Sequence, residues 1–198
     1  MAAILQSLGR TVIAGIVVLI VILILAGAGT GQMLTLDMNW GRFFMRWLHV
    51  LSGVMWIGLL WYFNFVQMPS MPKIPDEQKP AISKVIAPEA LFWFRWAAAA
   101  TVATGLLLAF MNGYLLQALS LQKGVHPIGI GMWIALVMAF NVWFIIWPNQ
   151  QKALGLVQVT PEEKAAAGRK AMLTSRLNTL LSIPMLYCMV SGQNPAGF

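Results

Sequence analysis

Between Phe43 and Met68 the chain reads FFMRWLHVLSGVMWIGLLWYFNFVQM. Beyond Arg46, the one side chain in that run that titrates near neutral pH is His49. About 20 consecutive, mostly apolar residues suffice to cross a bilayer as a helix. Four further runs are equally poor in Lys, Arg, Asp and Glu, at about 11–30, 92–112 with Arg95 its one charge, 128–148 and 177–191. Hydrocarbon offers the backbone no hydrogen-bond partners, so each run must satisfy itself as a helix. No run alternates polar and apolar residues as a strand would. The sequence therefore predicts an all-α integral membrane protein, with five transmembrane helices in one bundle and 1–198 as a single membrane domain. The fifth run is the shortest and contains Pro184, which removes a backbone donor and predicts a kink.

Composition agrees: 59% of residues are hydrophobic and 10% charged, against about 25% charged in soluble domains. The formal net charge of +7 does not indicate a nucleic-acid partner. The basic residues lie between apolar runs, where they set membrane orientation. Arg10, Lys73, Lys79, Lys84, Arg95, Lys152, Lys164, Arg169, Lys170 and Arg176 fall on one side of the five-crossing weave. Arg42, Arg46 and Lys123 fall on the other. Ten against three predicts a cytoplasmic N-terminus and an outer C-terminus, periplasmic if the lipid bilayer is a bacterial inner membrane. Arg10, the apolar run after it and Ala26-Gly27-Ala28 also resemble a secretory signal. That run is long for a signal and continues uncharged to Leu36, so it reads as a retained anchor.

The connections carry local signals. Thr160-Pro161-Glu162-Glu163 predicts a helix start: Thr160 as N-cap, Pro161 in the first turn, Glu163 closing a capping box. The stretch from Pro69 to Pro88 holds five prolines, at 69, 72, 75, 80 and 88. It predicts a mostly extended loop with a short helix near Ile82–Ile86. With Cys188 the sole cysteine, no internal disulfide and no Cys-x-x-Cys-His attachment is available, so any haem must be held non-covalently.

The two histidines, His49 and His126, come out near the same membrane face through the topology, not through their spacing. His126 precedes Pro127 and is expected to be extended, with Pro127 opening the fourth helix. The electropositive helix start favours a neutral imidazole, the form that binds metal. Gly53, one turn past His49, and Gly129 and Gly131, after His126, would leave room for a flat macrocycle. A non-covalent haem b with iron ligands His49 and His126 fits this pattern. So does a plainer arrangement: His49 bonded to a neighbouring carbonyl, His126 in a loop, and the glycines packing helices together.

A second constellation gathers toward the other face: Asn64, Glu89, Arg95, Asn141, Asn149, Gln150, Arg176, Asn178, Thr179 and Ser182. Glu89, Arg95, Asn64, Asn141 and Arg176 could form a pocket for a small anion, with arginine giving a forked grip. Interhelical hydrogen bonding and orientation charge account for the same residues. No Ser-His-Asp set, P-loop or dinucleotide fingerprint is present. Buried acids are too few for a proton-coupled transporter.

Long strings in the chain carry a resemblance. Trp47–Phe65 (WLHVLSGVMWIGLLWYFNF), Pro88–Trp96 (PEALFWFRW), Phe140–Gln150 (FNVWFIIWPNQ) and Ser175–Met185 (SRLNTLLSIPM) are similar to the N-terminal membrane region of cytochrome-c-linked bacterial urate oxidases. The resemblance implies oxidation of urate to 5-hydroxyisourate, with electrons passed to cytochrome c, and it strengthens the assignment of haem to His49 and His126. Family members carry a C-terminal cytochrome c domain, whereas this chain ends at Phe198. The implied acceptor is therefore a separate periplasmic cytochrome c or a larger membrane complex. A non-catalytic subunit of a redox or photosynthetic assembly and a small-solute channel are the rival readings. His49 and Asn64 are fifteen residues apart, about 22 Å along a helix, which would separate haem from anion pocket.

Overall fold

The computed structural model describes residues 2–31, 34–192 and 194, and all regular structure among them is helical. The chain packs as two compact units, Met1–Gly41 and Arg42–Phe198.

The first unit holds α1 (Ala2–Leu5), α2 (Leu8–Thr30) and the start of α3 (Met38–Trp61). Ser7 separates α1 from α2. Gly31, at φ 67°, ends α2 in the left-handed conformation that only glycine adopts without strain. Val, Ile and Leu surround α2 on every side, and none of its residues is buried. The Trp40 backbone N–H donates to Asp37 Oδ1 at 2.8 Å, which serves one of the orphan donors at the start of α3. α3 therefore begins five residues before the apolar run that announces it.

In the second unit α3 runs on through a π-helical turn, Tyr62–Gln67, into α4 (Met68–Ser70) and a 3₁₀ turn, Met71–Lys73. α5 (Lys79–Ala81) passes through a second π-helical turn, Ile82–Ile86, into α6 (Ala87–Met111). α7 (Leu115–Leu119) is a short surface helix. α8 (His126–Phe140) passes through a third π-helical turn, Asn141–Ile146, into α9 (Trp147–Ala153). α10 (Pro161–Ser191) closes the bundle and continues across Pro184.

The proline-rich stretch is thus a correction to the sequence reading. Residues 69–88 are mostly helical, and only the short break at 74–78 separates two long helices. The physical reason lies in the wide turns. Each of the three stands immediately before an X-Pro pair: Met68-Pro69, Ala87-Pro88 and Trp147-Pro148. A proline has no N–H and its ring collides with the carbonyl four residues back. Widening the helix relieves both. The residue before each proline donates five residues back: Met68 N to Phe63 O, Ala87 N to Ile82 O, and Trp147 N to Val142 O. The helix survives the proline by becoming broader just ahead of it.

Among the described residues, four helical stretches are long and apolar enough to cross a membrane: Leu8–Thr30, Met38–Lys73, Lys79–Met111 and His126–Ala153. α10 is less apolar because it carries a polar stripe. Ser175, Asn178 and Ser182 recur at helical spacing on one face, and all three are buried. The core of the second unit centres on Trp56, Leu60, Phe94, Met138 and Val142, each under 2% exposed. Ala97, Ala98, Ala135, Ala139 and Ala171 let the helix backbones approach closely around them. The expected capping box forms: Thr160 Oγ1 accepts from Glu163 N, and Glu163 Oε2 accepts from Thr160 N.

Candidate functional site

α3 and α6 meet at His49. Its ring Nδ1 lies 3.0 Å from the Thr101 carbonyl and 3.2 Å from Thr104 Oγ1. A carbonyl only accepts, so the proton sits on Nδ1 and Nε2 keeps its lone pair. The Thr104 hydroxyl donates to Ala100 O at 2.6 Å, which leaves its oxygen free to share the histidine proton. The ring occupies a berth made by a glycine: a Cβ at Gly105 would stand 2.8 Å from His49 Cε1. Gly53, one turn along α3, faces Thr101, whose Cγ2 would be 4.0 Å from a Cβ there. His49 is therefore hydrogen-bonded to a neighbouring carbonyl, as the plainer sequence reading has it. That bond leaves the other nitrogen in the form a metal ligand requires.

His126 is exposed and is itself the first residue of α8, so the expected extended conformation gives way to a helical one with Pro127 buried in the first turn. The glycines after it serve helix contacts. A Cβ at Gly129 would stand 2.1 Å from the Ala118 carbonyl, and one at Gly131 would stand 3.1 Å from Cys188 Cβ. The room expected beside Gly129 for a macrocycle is filled by α7, and that beside Gly131 by α10. Trp133 Nε1 donates to Leu119 O at 2.9 Å and ties α8 to the α7 end. At the same end Arg42 Nε donates to Met111 O at 2.9 Å. Burial raises the Tyr114 phenol above its ordinary value, partly offset by the charge of Arg46.

The second constellation does not assemble into one pocket. Three of its amides, Asn64, Asn141 and Asn178, make a lattice with α10, while Asn149 Nδ2 donates within its own helix to Ile145 O. Asn141 Nδ2 donates to Asn178 Oδ1 at 2.8 Å, and Asn178 Nδ2 donates to Met138 O at 2.9 Å. Asn64 Nδ2 donates to Ser175 Oγ at 2.8 Å, and Trp61 Nε1 donates to Ser182 Oγ at 3.0 Å. The polar stripe of α10 is thus the partner of the two asparagines inside their runs. Arg95 goes elsewhere: its guanidinium carbon lies 3.3 Å from the centroid of the Trp147 ring and 5.8 Å from that of Trp143, with Nε donating to Leu91 O. Glu89 and Arg176 are exposed. The sequence groups these five residues by depth; the side chains part because a stacked guanidinium and a saturated amide pair each satisfy themselves locally.

A cavity of about 110 Å³ opens beside this lattice. Gln67, Ser83, Gln150 and Ser175 supply its polar lining, and Phe63 and Phe94 part of its apolar wall. Sequence reasoning missed Gln67 and Ser83. Their signal was available in the X-Pro pairs, because both residues lie in the wide turns those prolines impose. Among the described residues no group of three or more His, Cys, Asp or Glu could hold a metal ion.

Residues 114–198, which hold α7 through α10, match the family described as urate oxidase N-terminal. The matched stretch contains His126, Gly129, Asn141 and Arg176; His49, Asn64, Glu89 and Arg95 lie before it. The match agrees with the resemblance read from the sequence. No curated protein and no solved structure matches the chain.

Proposed function

We propose, from the urate oxidase N-terminal match over residues 114–198, that the chain is a membrane redox protein of the bacterial inner membrane. In this reading it oxidises urate and passes the electrons to a periplasmic cytochrome c or to a larger membrane complex. α10 is the fifth crossing, its polar stripe turned into the bundle, with the N-terminus cytoplasmic and the C-terminus periplasmic. Haem b is the implied cofactor, and it would supply one-electron chemistry. The observation that supports a ligand role is the His49 tautomer. With Nδ1–H committed to the Thr101 carbonyl and to Thr104, Nε2 is the nitrogen offered to iron. His126 is the proposed second ligand. Gly129 has no part in it, because α7 already occupies its face.

Arg95 is the proposed contact for an anionic substrate. Stacking on Trp147 uses the face of the guanidinium and leaves its edge to a planar anion. Asn64 and Asn141 hold the bundle together instead of meeting substrate. An optical spectrum of the purified chain tests the cofactor: a Soret band is expected, and it should be lost or shifted in His49→Ala and in His126→Ala. A wild-type band in both folded variants would remove the ligand assignment. Urate-dependent reduction of added cytochrome c tests the reaction. Arg95→Lys should raise KM for urate about tenfold with little change in kcat, since lysine lacks the planar fork.

A further inference from the structure

Three separate stretches of helix widen at the same place in the second unit. Phe63 and Gln67 come from the first wide turn, Ile82 and Ser83 from the second, and Ile146 from the third; all five line the 110 Å³ cavity. Wide turns inside α-helices concentrate at functional sites. Convergence of three on one hollow is more than the prolines alone require, since each proline needs only its own turn.

The chemistry of the lining narrows what the hollow can hold. No titratable side chain lines it, so it offers no counter-charge to an ion. Two amide oxygens are left over. Gln67 Oε1 is buried with no hydrogen-bond partner. Asn64, whose Nδ2 donates to the cavity-lining Ser175, leaves its own Oδ1 buried and unpartnered in the same way. A buried acceptor without a donor costs about 1–3 kcal/mol. Of the two, Gln67 lines the hollow; its vacancy is an acceptor, so the partner it lacks is a donor. A dry apolar cavity of about 150 Å³ holds benzene; at about 110 Å³ this one takes at most a ring no larger than that, and not a fused pair.

We infer that the hollow enclosed by the three wide turns, with Gln67 Oε1 as its unmet acceptor, is a binding site for a small uncharged amide. This site is distinct from the one proposed for haem and from Arg95. Phe63 and Phe94 touch edge to face, their centroids 5.6 Å apart, and together make an aromatic stretch of its wall against which a flat ring would lie. Gln150 and Ser175 are the polar groups at hand for the amide carbonyl.

The test uses the full chain in detergent, without haem or urate, so its failure and that of the redox proposal are separable. The probes are 2-pyrrolidinone and cyclopentanone, which differ by one N–H. Ligand-observed NMR titration should give saturable binding of 2-pyrrolidinone with a Kd of about 1–10 mM, as its few atoms allow. Cyclopentanone should bind at least about tenfold more weakly, because it leaves the acceptor unmet. Gln67→Leu should erase the difference between the probes. Ser83→Leu, which fills the space, should abolish binding of both, and an unchanged gel-filtration profile would certify that each variant is folded. Absence of saturable binding, equal affinity for the two probes in the wild-type chain, or undiminished selectivity in Gln67→Leu would each overturn the inference; the cavity would then hold water alone.

Discussion

A histidine in a membrane helix costs stability unless its polar atoms are met, and His49 is met by α6. Gly105 makes that possible, since any Cβ there would strike the imidazole. Gly105→Ala is expected to push the ring off the Thr101 carbonyl and destabilise the bundle by about 1–3 kcal/mol. Thermal unfolding in detergent reads the loss, and an unshifted midpoint would mean that the ring has another berth. The Asn141–Asn178 pair makes the opposite kind of claim. Asn178 is fully buried and bonds both to Asn141 and to the Met138 carbonyl. Asn178→Leu should cost about 1–3 kcal/mol. Adding Asn141→Leu should cost less than the sum of the two single changes, because the orphaned amide leaves with it. Strict additivity in that cycle would show the amides to be independent. At the exposed break between helices, Lys79 holds the Asp76 carboxyl below its ordinary value. A depressed carboxylate contributes stability above its unfolded pKa, about 3.9, and loses it as pH falls through the folded value. Lys79→Gln should return the Asp76 titration to the ordinary range, as NMR of the carboxyl carbon would record.

At the scale of elements, two kinds of proline can be told apart. Pro69, Pro88 and Pro148 each follow a wide turn that has already rearranged its hydrogen bonds, whereas Pro184 sits inside α10. Pro184→Ala restores a donor to a helix interior and is expected to stabilise by about 1–3 kcal/mol. Pro148→Ala should change stability by less than about 1 kcal/mol, because little is missing at that point. Equal effects from the two substitutions would remove the link between the prolines and the wide turns. At the head of α10, Thr160→Ala breaks the capping box and should cost about 1 kcal/mol.

For the whole molecule, the two units predict a separation of roles. α2 contributes no buried residue, and the core residues all lie in the second unit. A chain beginning at Asp37 should keep a thermal midpoint within a few degrees of the full one. A large drop would assign α2 a packing role. The ten-to-three bias of basic residues over five crossings predicts a cytoplasmic N-terminus, and cysteine labelling in inverted and right-side-out vesicles checks it; a label at the N-terminus reached from the outer face would overturn the five-crossing orientation.

The all-helical class, four of the apolar runs and the capping box at Thr160 were determined by the residues alone. Each depends on a local rule: hydrocarbon forbids unpaired backbone, and Thr-Pro-Glu-Glu serves its own helix start. The resemblance over 114–198 was also readable from strings such as FNVWFIIWPNQ. Tertiary structure decided where the polar side chains went. Sequence depth put Asn64, Arg95 and Asn141 at one level, but level is not contact. Which face each residue presents depends on the wide turns, because every extra residue in a turn rotates what precedes it, and nothing short of the packed bundle fixes that rotation. The same holds for the glycines. Gly53, Gly105, Gly129 and Gly131 look alike along the chain, and only the neighbouring helix tells whether the missing side chain admits an imidazole, a carbonyl or another backbone.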